Sequence, residues 1–430
     1  MTLTLSLISL SAVLLFVLGT PIVLLMALWV AATSYWVIDF PLANMGVSSL
    51  DSLKSFAFLA VPLFIATGDF LTAGGLSQKL VGLAKSMVAF LPGRTGATTI
   101  FASGLFAAVS GSNAATAATM GQLMGPEMKK AGVEPALAGA IVATGGTLGV
   151  VIPPSVMFIV YGITMSVSPV ELNMGGLLPG ILMMLILIGI CSYLTRKHEP
   201  ADRFAPVTLI RNAIHATGSA FLGLIAIALL FCGLYFGWFS STEAAGAATI
   251  YCLVVGLWVT RQIKWRNIPK ILQGSAAITG IIAPMVALSL QFQQIISVME
   301  VQSAVEAFLT GVARDHGTAI TLIAMMAIIL IAGSITESVA VVLILAPLLG
   351  PVAVGLNIDP IHWGVAFVVG TSLGFVTPPY GLNLFVTSAV MGVPYGALVR
   401  RIGIFILPLF AVWGLIVAFP WLTLALLPGR

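Results

Sequence analysis

Charged residues are scarce in this chain: they make up 7% of its 430 residues, where soluble globular proteins carry roughly a quarter. So little charge excludes a water-facing surface over most of the chain. With 59% hydrophobic residues and a mean hydropathy of +1.12, the composition is that of a polytopic membrane protein. Cysteine is nearly absent as well. Cys191, Cys232 and Cys252 each lie in an apolar run, which excludes a disulfide framework or a metal cluster. His198, His215, His316 and His362 share no ligand spacing, and no nucleic-acid partner is expected. The first apolar run, MTLTLSLISLSAVLLFVLG, lacks both a preceding positive charge and a small-residue cleavage site. It therefore reads as a first membrane helix rather than a cleaved signal.

What the chain has instead is apolar runs of spanning length, about 17–25 residues. They fall at 3–18, 21–38, 56–72, 175–195, 219–238, 242–260, 277–298 and 402–424. The regions 135–165 and 360–391 are also long enough, but Pro153-Pro154 and Pro378-Pro379 interrupt them. Two polar-faced stretches, 76–92 and 301–316, read as helices lying along the membrane surface. Only 34 residues separate Arg94 from Lys129, whereas two spans and a turn need roughly 40 or more. Ser110-Gly-Ser-Asn113 sits near the middle of that segment. Short arms about a polar midpoint predict a hairpin that enters the membrane and returns to the same side.

The chain also repeats itself. At an offset of 225, GGTLGVVIPP (145–154) falls on GTSLGFVTPP (370–379), Gly125-Pro126 on Gly350-Pro351, Pro135 on Pro360 and Gly139 on Gly364, without a gap. The same offset carries Ser110–Asn113 to Ile335–Ser338, the tip of a second hairpin. Charge then orients the halves. With the loops at 195–211 and 261–270 in the cytoplasm, fifteen of the eighteen Lys and Arg fall inside, and Lys54, Arg314 and Arg430 outside. That is the positive-inside bias. It puts both termini outside, brings the first hairpin in from the cytoplasm and the second from the other face, and makes the halves inverted repeats.

Inverted repeats with helices interrupted near mid-membrane characterise secondary transporters. Broken backbone at that depth must line a cavity or be buried in protein. Helix N-termini there favour anions, and hydroxyl and carbonyl oxygens suit a hard cation. Ser110, Ser112 and Asn113 are expected to face the break at Gly145–Pro153, and Thr336 and Ser338 the break at Gly370–Pro378. Three acids lie in or beside spans. Glu337 at the second tip could bind a cation, cap a helix or carry a proton. Asp69 reads as a helix end or subunit contact, and Glu243, after SST, as an N-terminal cap. The stretch QFQQ (291–294) would line a water path or meet a partner helix. A channel would show uncoupled flux, and an intramembrane enzyme would need a nucleophile and base, or paired aspartates, which neither tip supplies. The chain is read as a non-enzyme.

SGSNAATAATMGQLMGPEMKKAGVEPALAGAIVATGGTLGVVIPPS and the later IDPIHWGVAFVVGTSLGFVTPPYGLNLF give the chain its resemblance. Over essentially its whole length it resembles the large membrane (M) subunit of tripartite ATP-independent periplasmic (TRAP) transporters. The resemblance implies import of an organic anion, a carboxylate or sulfonate, into bacteria across the inner membrane, driven by sodium, with two or more Na+ ions and no organic cofactor. It implies a periplasmic substrate-binding protein (P), a small four-helix membrane subunit (Q) and an elevator motion. Scaffold helices would occupy 1–75 and 175–298, with arm helices at 76–92 and 301–316. The transport domain would be 93–165 and 317–391, followed by a final span at 402–424. Carried over by motif, one sodium site would use Ser110, Ser112, Asn113, Gly145, Gly149 and Val150. The other would use Ser334, Thr336, Ser338, Gly370, Thr371 and Gly374. The substrate is expected between the tips, near Asn113, Pro154, Ser155, Glu337, Ser338, Pro379 and Tyr380. Two departures stand out: the acid in GSITES, and Ser372 where the family often has Asn. A proton-coupled transporter of the same fold is the alternative to sodium coupling.

Overall fold

A computed structural model describes residues 2–41, 43–199 and 206–427. Arg203 and Arg430 of the charge count, and both terminal residues, lie outside the described residues. Among those described there is no strand, and eight helices are long and apolar enough to cross a membrane. They include Phe56–Ala73, Pro169–Thr195, Ser241–Val259 and Tyr395–Ala418, close to the runs legible in the sequence. One helix has no counterpart among any of the elements expected from the sequence. Ala43–Leu53 is too short and polar to span, and it docks on the long helix Ile268–Val298.

The first hairpin is Arg94–Ser110 followed by Asn113–Lys130. Gly111 ends the first arm with a φ of +57°, a left-handed conformation that suits glycine. Ser112 is extended, and its Oγ accepts a hydrogen bond from Ala115 N–H, so the second arm starts with a side-chain cap. The second hairpin is Thr318–Ile335 followed by Ser338–Gly355. Here Glu337 is the extended residue, and its carboxylate accepts from Val339 N–H at 3.1 Å. Adding 225 to 113 and 130 gives 338 and 355, the bounds of the second hairpin's second arm.

Both broken helices begin with proline at the first helical turn, Pro135 and Pro360, where its missing N–H costs nothing. Pro135–Gly146 continues as a tight turn over Thr147–Val150, and the chain resumes helix at Val156–Met165. Pro360–Gly374 is followed by Leu382–Met391. The proline pairs that divide them lack the N–H groups a continuous helix needs. Both pairs, Pro153-Pro154 and Pro378-Pro379, are joined by cis bonds.

The halves interlock. Val156–Met165, from the first half, packs on Ser338–Gly355 of the second hairpin. Leu382–Met391, from the second half, packs on Asn113–Lys130 of the first hairpin and on Pro135–Gly146. Around this doubly crossed unit, Phe56–Ala73 packs on Ser241–Val254, and Ile268–Val298 crosses both Phe56–Ala73 and Ile22–Trp36. Leu76–Met87 and Val301–His316, the two expected surface helices, each lie against a hairpin's first arm.

Candidate functional site

At the first tip, Asn113 is 2% exposed, and both the oxygen and the nitrogen of its amide are hydrogen-bonded. Its Oδ1 accepts from Val150 N–H in the break at 2.9 Å, and its Nδ2 donates to Ser372 Oγ in the other half at 3.0 Å. Ser372 Oγ in turn donates to the Thr147 carbonyl at 2.6 Å. One amide therefore ties tip to break and one half to the other. Gly149 lets the break press against the tip: a methyl placed there would stand 2.4 Å from Ser112 O and 2.7 Å from Asn113 N. Ser110 Oγ pairs with Thr116 Oγ1 at 3.0 Å, and the Ser110 backbone lies under Gly68 of the span Phe56–Ala73.

The second tip is built differently. Ser338, which stands where Asn113 stands plus 225, is buried, and its Oγ has no hydrogen-bond partner among the described residues. Thr336 Oγ1 donates back to Ala332 O, and Ser334 Oγ to Ile331 O. Ser334 O accepts from Tyr380 N–H at 3.1 Å, joining the hairpin to the second break. Gly374 presses on Gly333, since a methyl there would come 2.4 Å from the Gly333 carbonyl carbon, and Gly333 also faces the Thr371 backbone. Asn383 Nδ2 donates to Ala143 O at 3.0 Å, while its Oδ1, like Thr387 Oγ1, is buried without a partner among the described residues.

Beneath the first tip lies a cavity of about 380 Å³ between the hairpin, Phe56–Ala73 and the start of Ile268–Val298. Ser110, Ser112, Thr119, Gln122, Asp69 and Lys270 reach it.

Comparison with known proteins places this geometry. The family model of the tripartite ATP-independent periplasmic transporter, DctM component, matches residues 9–422. The chain belongs to this family. It is 33% identical over 358 residues to the C4-dicarboxylate TRAP transporter large permease protein DctM of Pseudomonas aeruginosa, covering 83% of each chain. It is 34% identical over 400 residues to the isethionate TRAP transporter permease protein DctMQ of Oleidesulfovibrio alaskensis, covering 92% of this chain and 61% of that one. In fold it resembles the YdaH transporter of Alcanivorax borkumensis, with a TM-score of 0.58 at 17% identity over 88% of both chains. These findings make it a TRAP large permease subunit and a multi-pass membrane transporter, and its relatives are permeases, in keeping with a non-enzyme.

Within the permease, Ser112, Asn113, Gly149 and Val150 meet at the first tip. Gly145 faces elsewhere, toward the Ser103 side chain. In the second half, Thr371 and Gly374 meet the first arm at Gly333, whereas Gly370 lies against the Trp413 ring. Among the residues expected near substrate, the Pro154 carbonyl lies under Gly111. Ser155 N–H donates to Asn173 Oδ1 at 2.8 Å, and the Pro379 and Tyr380 carbonyls accept from the Tyr395 hydroxyl. Glu243 makes a capping box with Ser240. Asp69 joins two peripheral helices, its Oδ2 accepting from Ser275 Oγ at 2.6 Å. Of QFQQ, Gln291 is wholly buried, and Gln293 and Gln294 line a separate cavity beside Phe40.

Sequence reasoning noted Ser372 only as a departure and gave it no contact, and it passed over Thr147, Asn383 and the place of Lys270. The first two were open to discovery, because 147 plus 225 is 372 and both are hydroxyl residues beside a break. Asn383 shows as an amide at the head of an apolar helix. Lys270 gave no signal beyond one more cytoplasmic positive charge.

Proposed function

We propose that the permease is the translocating subunit of a sodium-coupled importer of an organic anion, working by elevator-type alternating access in the bacterial inner membrane. In this reading the halves are inverted repeats, both termini are periplasmic, and the interlocked hairpin unit slides against the peripheral scaffold helices. A periplasmic substrate-binding protein delivers the anion, and a small four-helix subunit completes the membrane complex. The observation that carries it is the crossed packing of the two hairpins and the two post-break helices, which holds both tips in one body.

The residues fit sodium, which takes oxygen ligands. Ser110, Ser112, Asn113, Gly149 and Val150 would hold one ion through side-chain and carbonyl oxygens. Ser334, Thr336, Ser338, Thr371 and Gly374 would hold another, while Gly145 and Gly370, turned to Ser103 and Trp413, would serve close packing. The buried Ser338 hydroxyl supports the second site, because an unsatisfied buried hydroxyl costs about 1–3 kcal/mol. When bound, sodium supplies positive charge beside the tips and so favours an anion between them. Asn113 holds the first tip on its break, and the capped helix N-termini at Ser112, Glu337 and Ser155 orient backbone N–H groups.

The test is uptake into proteoliposomes holding the permease and its small partner, with the binding protein and labelled organic anions added. Uptake that needs both an inward sodium gradient and the binding protein is expected. Uptake driven by protons without sodium would overturn the coupling and direct attention to Glu337. Gradient-independent flux would overturn the importer.

A further inference from the structure

The cavity beneath the first tip has a charge arrangement that the proposed function does not use. Asp69 and Lys270 are the two charged side chains lining it, and they come from two different peripheral helices. Lys270 makes no ion pair or hydrogen bond among the described residues. Asp69 uses only Oδ2, toward Ser275, which leaves Oδ1 able to accept. The wall opposite is the first hairpin, which presents the hydroxyls of Ser112 and Thr119 and the amide of Gln122. About 380 Å³ lies within the range of small-molecule sites.

We propose that this cavity binds the transported solute on the cytoplasmic side, and that it selects a hydroxylated monoanion, such as a sugar acid or a hydroxyalkyl sulfonate, over an unsubstituted dicarboxylate. Lys270 pairs with the single carboxylate or sulfonate. Asp69 accepts a hydrogen bond from a substrate hydroxyl, and the hairpin hydroxyls and amide bind the rest of the chain. A second carboxylate would meet the Asp69 carboxylate, and like charges in a confined site repel. Asp69 therefore acts as a filter and Lys270 as the anchor. This inference rests on the importer reading for its direction, cytoplasmic release, but the site itself stands on the cavity.

The experiment uses the complete transporter in inside-out membrane vesicles, with Cys232→Ser to remove the one cysteine that is not buried and Ala115→Cys as a reporter in the cavity wall. A membrane-impermeant maleimide labels the reporter, and gluconate, isethionate and succinate are titrated as protectants. Gluconate and isethionate are expected to slow labelling at concentrations at least tenfold below succinate. Lys270→Gln should weaken their protection about tenfold, equivalent to about 1.4 kcal/mol. Asp69→Asn, whose amide oxygen can still accept from Ser275, should bring succinate to within about threefold of gluconate. Succinate protecting the parent as well as gluconate, or unaltered gluconate protection in Lys270→Gln, would overturn the assignment. So would driven uptake with no protection by any of the three anions, a result that leaves the importer reading in place. Selective protection without driven uptake of any anion keeps this site and overturns the importer.

Discussion

Replacing Gly149 with alanine adds one methyl group at the point where the first break meets the first tip. That methyl would stand 2.4 Å from Ser112 O, 2.5 Å from Ser112 C and 2.7 Å from Asn113 N. All three are backbone atoms, so no side chain can rotate away. Restoring ordinary contact means parting tip and break by about 1 Å, which stretches the 2.9 Å bond from Val150 N–H to Asn113 Oδ1 past hydrogen-bonding range. Overpacking costs about 1–3 kcal/mol, and the lost bond adds about 0.5–1.5 kcal/mol. The sum, about 2–4 kcal/mol, corresponds to a loss of roughly 30- to 1,000-fold in the population of the competent tip. Sodium-dependent uptake in proteoliposomes, read as the sodium concentration for half-maximal rate, should rise accordingly or uptake should disappear. Gly374→Ala should behave alike, because its methyl meets the Gly333 backbone at the same 2.4 Å. Gly189→Ala, with nothing within 4 Å in the helix Pro169–Thr195, is the control. It should transport normally and gain up to about 1 kcal/mol in stability. Gly149→Ala with a sodium dependence within twofold of the parent would refute the reasoning.

Asn113→Ala strands the buried Val150 N–H and removes the donor to Ser372, so uptake should be lost while the protein still expresses, as checked by transport and by yield in the membrane fraction. Ser338→Ala should separate two roles. Stability without sodium should hold or rise, because the hydroxyl has no partner among the described residues, while the share of the sodium-conferred thermal stabilisation that comes from the second ion should be lost. Stabilisation by sodium equal to the parent's would remove Ser338 from the second site. Asp359 caps the second broken helix through Ile361 and His362 N–H, so Asp359→Ala should lower thermal stability by about 1 kcal/mol and leave the sodium concentration for half-maximal uptake unaltered.

The sequence alone determined the features whose physics is local. Apolar run length marks the spans Phe56–Ala73 and Tyr395–Ala418, because a hydrocarbon slab of given thickness requires it. Proline pairs mark the breaks, because they cannot supply helix N–H groups. Glu243 reads as a cap because its carboxylate reaches the Ser240 N–H three residues back. The 225-residue offset needed only self-comparison. Tertiary structure alone decided which of these pieces touch. Asn113 and Ser372 are 259 residues apart, and no pattern around either names the other. Gly145 and Gly370 sit in the motif, yet they face Ser103 and Trp413, because a glycine's neighbour depends on how whole helices cross. Asp69 found Ser275, and Lys270 entered a cavity, for the same reason. Ala43–Leu53 escaped the search for spans because its helix is held by Ile268–Val298 rather than by its own apolar length. Local chemistry sets where a helix starts, breaks and ends; only long-range packing sets which side chains meet.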